Sequence, residues 1–171
     1  MNETKLINPL QAGTFKTLPL TVAVVFEDVA TGVRARLSLD HLACRLEEPE
    51  PFRLLSWRLD LLGQRFFQKQ LADPAVAVDI VLFSLHGWQP LTGAAVAWLA
   101  GWLADRQKPS CALGVLLDSV AAAQGLKNPV VRQLQQVADM ARVGLFYGGS
   151  EGSTPGVSQA FGRQPMAGVL V

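Results

Sequence analysis

Only two cysteines and two histidines occur in the 171 residues, and none falls in a CxxC pair or a Cys/His cluster with the spacing of a zinc site. Cys44 and Cys111 stand far apart in apolar surroundings, which predicts two core thiols rather than a disulfide or a redox pair. Charge is also scarce. Charged residues make up 17% of the chain and the net charge is +1, too little positive field to collect nucleic acid by its phosphates. The 50% of hydrophobic residues, in turn, excludes a disordered chain. No basic stretch followed by an apolar one opens the sequence, so no signal peptide is read and the expected location is cytoplasmic. Phosphate-binding motifs are missing where they would be needed. After the first apolar run stands EDVATGVRARL, with neither G-x-G-x-x-G nor a Walker A lysine, and its two carboxylates would repel a phosphate.

What the chain has is a series of short apolar runs. LTVAVVF (Leu20 to Phe26), FRLLSWRL (Phe52 to Leu59), DIVLFSL (Asp79 to Leu85), CALGVLL (Cys111 to Leu117) and the shorter VGLFY (Val143 to Tyr147) fit strands covered on both faces, as in a parallel sheet. FRLLSWRL is the most amphipathic and belongs at an edge. Helical patterns lie between them. Ala35, Leu39, Leu42 and Leu46 make one stripe, with Arg34, His41 and Arg45 off it. Asp60 to Ala72 reads as a second helix, closed by Asp73-Pro74. Asn128 caps a further one, with Pro129 at its first position and Val130, Leu134, Val137 and Ala141 on one side. The alternation βαβαβαβαβ, wound right-handedly, predicts an α/β fold of flavodoxin type, a doubly wound five-stranded parallel sheet in the order 2-1-3-4-5. Residues 19 to 148 form that single domain, after an N-terminal arm (1 to 18) and before a tail rich in Gly, Ser and Pro (149 to 171).

From Gly87 to Ala104 no charged residue occurs, and three of the four tryptophans lie in this segment. Gln89, Pro90 and Thr92 interrupt it, so it falls short of the roughly 20 apolar residues of a membrane span. As a helix it would turn Leu91, Ala94, Ala95, Trp98, Leu99 and Trp102 to the sheet, leaving Val96, Ala97, Ala100, Gly101 and Leu103, with Trp88 before them, as a second apolar face. That face predicts a homodimer or a protein partner, since the small residues let a second helix approach. The chain's own arms are the other candidate cover.

In such sheets ligands bind at the carboxyl ends of the strands near the switch point. That rule selects Glu27 and Asp28, Asp60, Ser84 with His86 and Gly87, and Asp118 with Ser119. Glu27 and Asp28 would either offer oxygens to Mg²⁺ or cap the helix that follows. Ser84, His86 and Asp118 are the residue types of a nucleophile, its base and an orienting acid. The G-x-S-x-G turn that presents such a serine is absent, however, and a histidine hydrogen-bonded in the crevice is the alternative.

The βα alternation, Glu27 and Asp28 after the first strand and the Ser119 hydroxyl after the fourth make residues 20 to 148 resemble a response-regulator receiver domain. The look of VVFEDVATGVRARL, WRLDLL, DIVLFSLHG and AWLAGWL is also similar to small bacterial proteins of the same fold without an assigned activity. The receiver resemblance implies an acidic pair holding Mg²⁺ beside a phosphorylated aspartate. Here the end of the third strand reads FSLHG, with no Asp between Asp79 and Asp105, and no Lys follows Lys127 where the family places one at the end of the fifth strand. The expectation is a non-enzymatic, receiver-like signalling module without the phosphoacceptor, acting by protein contact. A small flavodoxin-like enzyme or ligand-binding protein using the acidic crevice with His86 is its rival.

Overall fold

The structure, a computed structural model, describes residues 19–46, 52–64, 78–105 and 111–149. Five strands, β1 (Leu20–Phe26), β2 (Phe52–Arg58), β3 (Ile80–Ser84), β4 (Ala112–Leu117) and β5 (Gly144–Gly149), pair in parallel in the order β2-β1-β3-β4-β5. This is the doubly wound, flavodoxin-like α/β sheet that the apolar runs predict. The register aligns Phe26 with both Arg58 and Ser84, and Ser84 with Leu116, so the carboxyl ends of β1, β3 and β4 come level. β2 is the edge strand, with none of its residues fully buried.

Four helices flank the sheet among the described residues: α1 (Val29–Leu46), α2 (Gly93–Asp105), the short α3 (Ser119–Ala123) and α4 (Pro129–Ala141). The larger core lies under α2 and α4, where Val81, Phe83, Leu113, Val115 and Leu117 of the sheet meet Trp98, Leu99, Leu103, Val130 and Leu134. On the opposite face α1 packs Ala35 and Leu39 against Val22, Val24 and Leu82. No helix among the described residues is long and apolar enough to cross a membrane.

Three expectations need correction. Leu42 and Leu46 are 43% and 49% exposed, and Cys44 is exposed while Cys111 is buried. α1 has 18 residues and β1 seven, lengths of about 27 Å and about 23 Å, so the last turn of α1 overruns the sheet and leaves these side chains uncovered. In α2, Leu103 is buried and Ala94 exposed, the reverse of the expected faces. Alanine has too little apolar area to orient a helix, and the bulk of Trp98, Leu99 and Leu103 decides which side goes inward. The third difference is in β5, which runs on to Gly149 rather than ending at Tyr147. Of the expected Asp60 to Ala72 helix, Leu59–Leu61 form a 3-10 turn and residues 65–72 lie outside the described residues, as do residues 1–18 and 150–171 of the terminal arms.

Asn128 caps α4 as its sequence predicts, Oδ1 accepting from the N–H of Val130 at 2.9 Å and of Val131 at 3.4 Å. Its Nδ2 reaches back to donate to the Gly87 carbonyl at 2.9 Å, linking α4 to the loop after β3. Asn128→Ala is expected to cost about 2–3 kcal/mol in urea unfolding, because a cap is lost and a buried carbonyl loses its donor. Asn128→Ser, which restores only the cap acceptor, is expected to recover about 1 kcal/mol of that.

Candidate functional site

The site forms where the carboxyl ends of β1, β3 and β4 meet, and each of its side chains is delivered by a turn. After β1, Asp28 is the N-cap of α1. Its Oδ1 accepts from the Thr31 N–H at 2.9 Å, and the Thr31 hydroxyl oxygen accepts from the N–H groups of Glu27 and Asp28 at 3.0 and 2.9 Å. This reciprocal box leaves Asp28 Oδ2 pointing across the crevice. After β3, Leu85 is buried and His86 emerges, followed by Gly87 at φ 83°. A Cβ on Gly87 would lie 2.9 Å from Leu117 Cδ2 and 3.0 Å from the Ala121 Cβ, so only glycine lets the chain turn there so close to the core. After β4, Asp118 leads into α3.

His86 bridges the other two turns. Its Nε2 lies 3.0 Å from Asp28 Oδ2 and its Nδ1 lies 3.0 Å from Asp118 Oδ2, while its backbone N–H donates to Glu27 Oε2 at 2.9 Å. Arg34 of α1 reaches into the same strand-end crevice. Its guanidinium donates to Asp118 Oδ1, to the carbonyls of Leu85 (2.6 Å) and Leu116 (3.2 Å), and to Ser84 Oγ (3.2 Å). Arg34 and Asp118 are 13% and 33% exposed, and charge-assisted bonds in such half-dry surroundings are stronger than those on an open surface.

The electrostatics follow from these contacts. The bonds to Asp28 and then Asp118 raise the affinity of His86 for its second proton, against a smaller opposing effect of burial. Asp28, stabilised as a carboxylate by His86 first and by the Thr31 amide second, is held down to about 2. Burial pushes Asp118 up, but the bonds from His86 and Arg34 together outweigh it and leave that carboxyl below its ordinary range. The ring therefore holds its second proton more tightly than an ordinary imidazole, and when charged it donates from both nitrogens.

Of the residues selected by sequence, the structure brings Glu27, Asp28, His86 and Asp118 together. Ser84 is fully buried and its hydroxyl donates to the Thr31 carbonyl at 2.7 Å. It is a structural tie between β3 and α1 and also accepts from Arg34 Nε at 3.2 Å. Asp60 pairs with Arg58 at 2.8 Å on the β2 edge, outside this cluster. Ser119 is exposed at the start of α3. Arg34 was missed because it sits off the apolar stripe, although its spacing of three from the capping Thr31 places it on the side of α1 that faces the crevice. Among the described residues, no group of three or more His, Cys, Asp and Glu is arranged to hold a metal ion. Asp28 and Asp118 are joined through His86, and Arg34 is bonded to Asp118. No protein-family model matches the chain, and neither does any curated protein sequence.

Two outcomes follow from this geometry. Arg34→Met takes the guanidinium from the Leu85 carbonyl, the Ser84 hydroxyl and Asp118, while the Leu116 carbonyl keeps the Leu85 N–H at 2.9 Å and Asp118 keeps His86, and is expected to cost about 3 kcal/mol in chemical denaturation. Arg34→Lys, a single point donor in place of a fork, is expected to recover less than half of that. Stability should also depend on pH with a definite shape. The contribution of His86 is complete below the ordinary imidazole pKa of about 6.5 and is lost as pH rises through the raised folded value. That of Asp28 is complete above 3.8 and is lost as pH falls toward 2. Thermal melts across pH should therefore show a plateau between these limits that falls on both sides, and His86→Gln should remove the alkaline fall.

Proposed function

We propose that this chain is a receiver-like regulatory module that works by protein contact and neither carries nor transfers a phosphoryl group. One observation carries the reading: the strand-end crevice, the functional place of this fold, is filled by cations of the chain itself. Where the receiver resemblance implies a phosphoacceptor Asp at the end of the third strand, β3 ends in Ser84, fully buried with its hydroxyl on the Thr31 carbonyl. Where it implies Mg²⁺ on the acidic pair, Asp28 holds the His86 ring and the α1 cap, and Glu27 holds the His86 amide. Acting as a catalytic acid or base is equally disfavoured for His86, because both ring nitrogens are engaged by carboxylates.

The contact surface follows from what the fold leaves uncovered. On α2, Ala97, Ala100 and Gly101 face outward, nothing lies within 4 Å of a Cβ built at Gly101, and Trp88 in the preceding loop is 54% exposed. Val96 is partly buried against the core, so the dimer face expected from sequence is reduced to small side chains and Trp88. α1 presents a second ridge in Val29, Val33 and Leu37, at 79%, 53% and 63% exposure. We keep homodimerisation through α2 as the proposal, because a smooth helix admits a second helix closely, and name α1 as the competing surface.

Incubation with acetyl phosphate and Mg²⁺ followed by intact-mass analysis is expected to show no added phosphoryl group; stoichiometric addition would overturn the reading. In sedimentation velocity the wild type is expected to be a dimer that Gly101→Glu dissociates and Val33→Glu does not. The reverse pattern would move the interface to α1, and a monomeric wild type would remove self-association from the proposal.

A further inference from the structure

We propose that His86 is a proton-operated tie between the β1–α1 turn and the β4–α3 turn, and that losing one ring proton releases its Asp28 arm, making a rise in pH the input this module reads. The inference rests on the regulatory reading above and names its signal.

The argument starts from the valence of the ring. An imidazolium has two N–H groups and serves both carboxylates, at 3.0 Å on each side. A neutral imidazole has one N–H and one lone pair, so one of the two contacts must become a lone pair set against a carboxylate oxygen. The groups facing the ring are Asp28 and Glu27 from the β1–α1 turn, Asp118 from the β4–α3 turn, and Arg34 of α1 behind Asp118. With the ring charged, three carboxylates meet two cations; with the ring neutral, they meet one.

The two arms are unequal. Asp118 is fixed by Arg34, itself tied to the carbonyls at the ends of β3 and β4, and is 33% exposed. Asp28 is 50% exposed, and water can take over its Oδ2 while Oδ1 keeps the Thr31 cap. The remaining proton therefore stays on Nδ1 toward Asp118, and the Nε2 to Asp28 contact opens. What separates is the start of α1 from the loop that bears Gly87 and the exposed Trp88. The Glu27 bond to the His86 amide is then the one direct hydrogen bond left there between that turn and His86. A single proton thus changes how the β1–α1 turn is joined to the loop leading into α2.

The test is a pH titration of the full chain by NMR, following the two histidine rings and the amides of Asp28 to Thr31, with the Trp88 indole as the loop reporter. His86→Gln leaves one histidine and so assigns the rings. The expected result is a His86 midpoint above 6.5, with the Asp28 to Thr31 amides and the Trp88 indole moving at the same midpoint. Those movements are expected to vanish in His86→Gln, and Asp28→Asn is expected to lower the midpoint while the Asp118 side stays bonded. Amides and indole that stay still while the ring titrates, or that move equally in His86→Gln, would overturn the tie. Asp28→Asn gives an independent arm should the glutamine variant fail to fold. The two readings fail separately: phosphorylation of the chain would end the contact-only reading and leave this titration intact, whereas a titration confined to the ring would end the tie alone.

Discussion

Arg34 reaches from the inward side of α1 to the place where two parallel strands end with their carbonyls pointing out of the sheet. A sheet of this kind leaves acceptors at its carboxyl edge with no following strand to satisfy them, and buried acceptors must be paired. One guanidinium answers for the Leu85 carbonyl, adds a second donor to the Leu116 carbonyl, which also accepts from the Leu85 N–H, and fixes Asp118 and Ser84 as well. Everything else at this end of the molecule depends on that arrangement. Asp118 is held in place to receive His86, His86 reaches on to Asp28, and Asp28 caps the same helix that carries Arg34. The chain of contacts closes into a ring that joins β1, β3, β4 and α1.

A closed ring of this kind explains why an acidic crevice is compatible with stability. Three carboxylates gathered at one rim would repel each other. Here the relief comes from Arg34, bonded to Asp118, and from the His86 ring, which when protonated bonds both Asp28 and Asp118. Both nitrogens of His86 are engaged by carboxylates, and Ser84 at the end of β3 is buried and bonded to Arg34 and Thr31. The proposed regulatory reading grows out of this, since a site that changes charge with one proton has two states.

The elements of the fold were legible because apolar runs and caps are local. Leu20 to Phe26 or Cys111 to Leu117 can be recognised without knowing what they touch, and Asn128-Pro129 announces a helix start by its own stereochemistry. Alternation of strands with helices then fixes the order of the sheet. The site was legible only in part. Glu27, Asp28, His86 and Asp118 were found by the rule that strand ends carry function, which needs topology but no distances. Their roles were not, because a carboxylate that caps, one that pairs and one that binds metal look alike in sequence. Arg34 was invisible to an apolar stripe, since its long side chain covers about as much apolar ground as it offers charge. The tryptophan helix was legible in part: Trp98 and Trp102 turn to the core as expected, whereas the alanines gave no orientation and Leu103 also goes inward.

The central claim is that His86 is an imidazolium shared by Asp28 and Asp118, and the protonation pattern of its ring nitrogens tests it most directly. With histidine labelled in ¹⁵N, a long-range ¹H–¹⁵N spectrum at about pH 6.5, the ordinary midpoint of the side chain, distinguishes the charged ring from either neutral tautomer. The account predicts the charged pattern for His86, with both N–H protons protected from exchange by their carboxylate partners. A neutral tautomer at that pH, or two ring protons exchanging as freely as those of a solvated histidine, would contradict it.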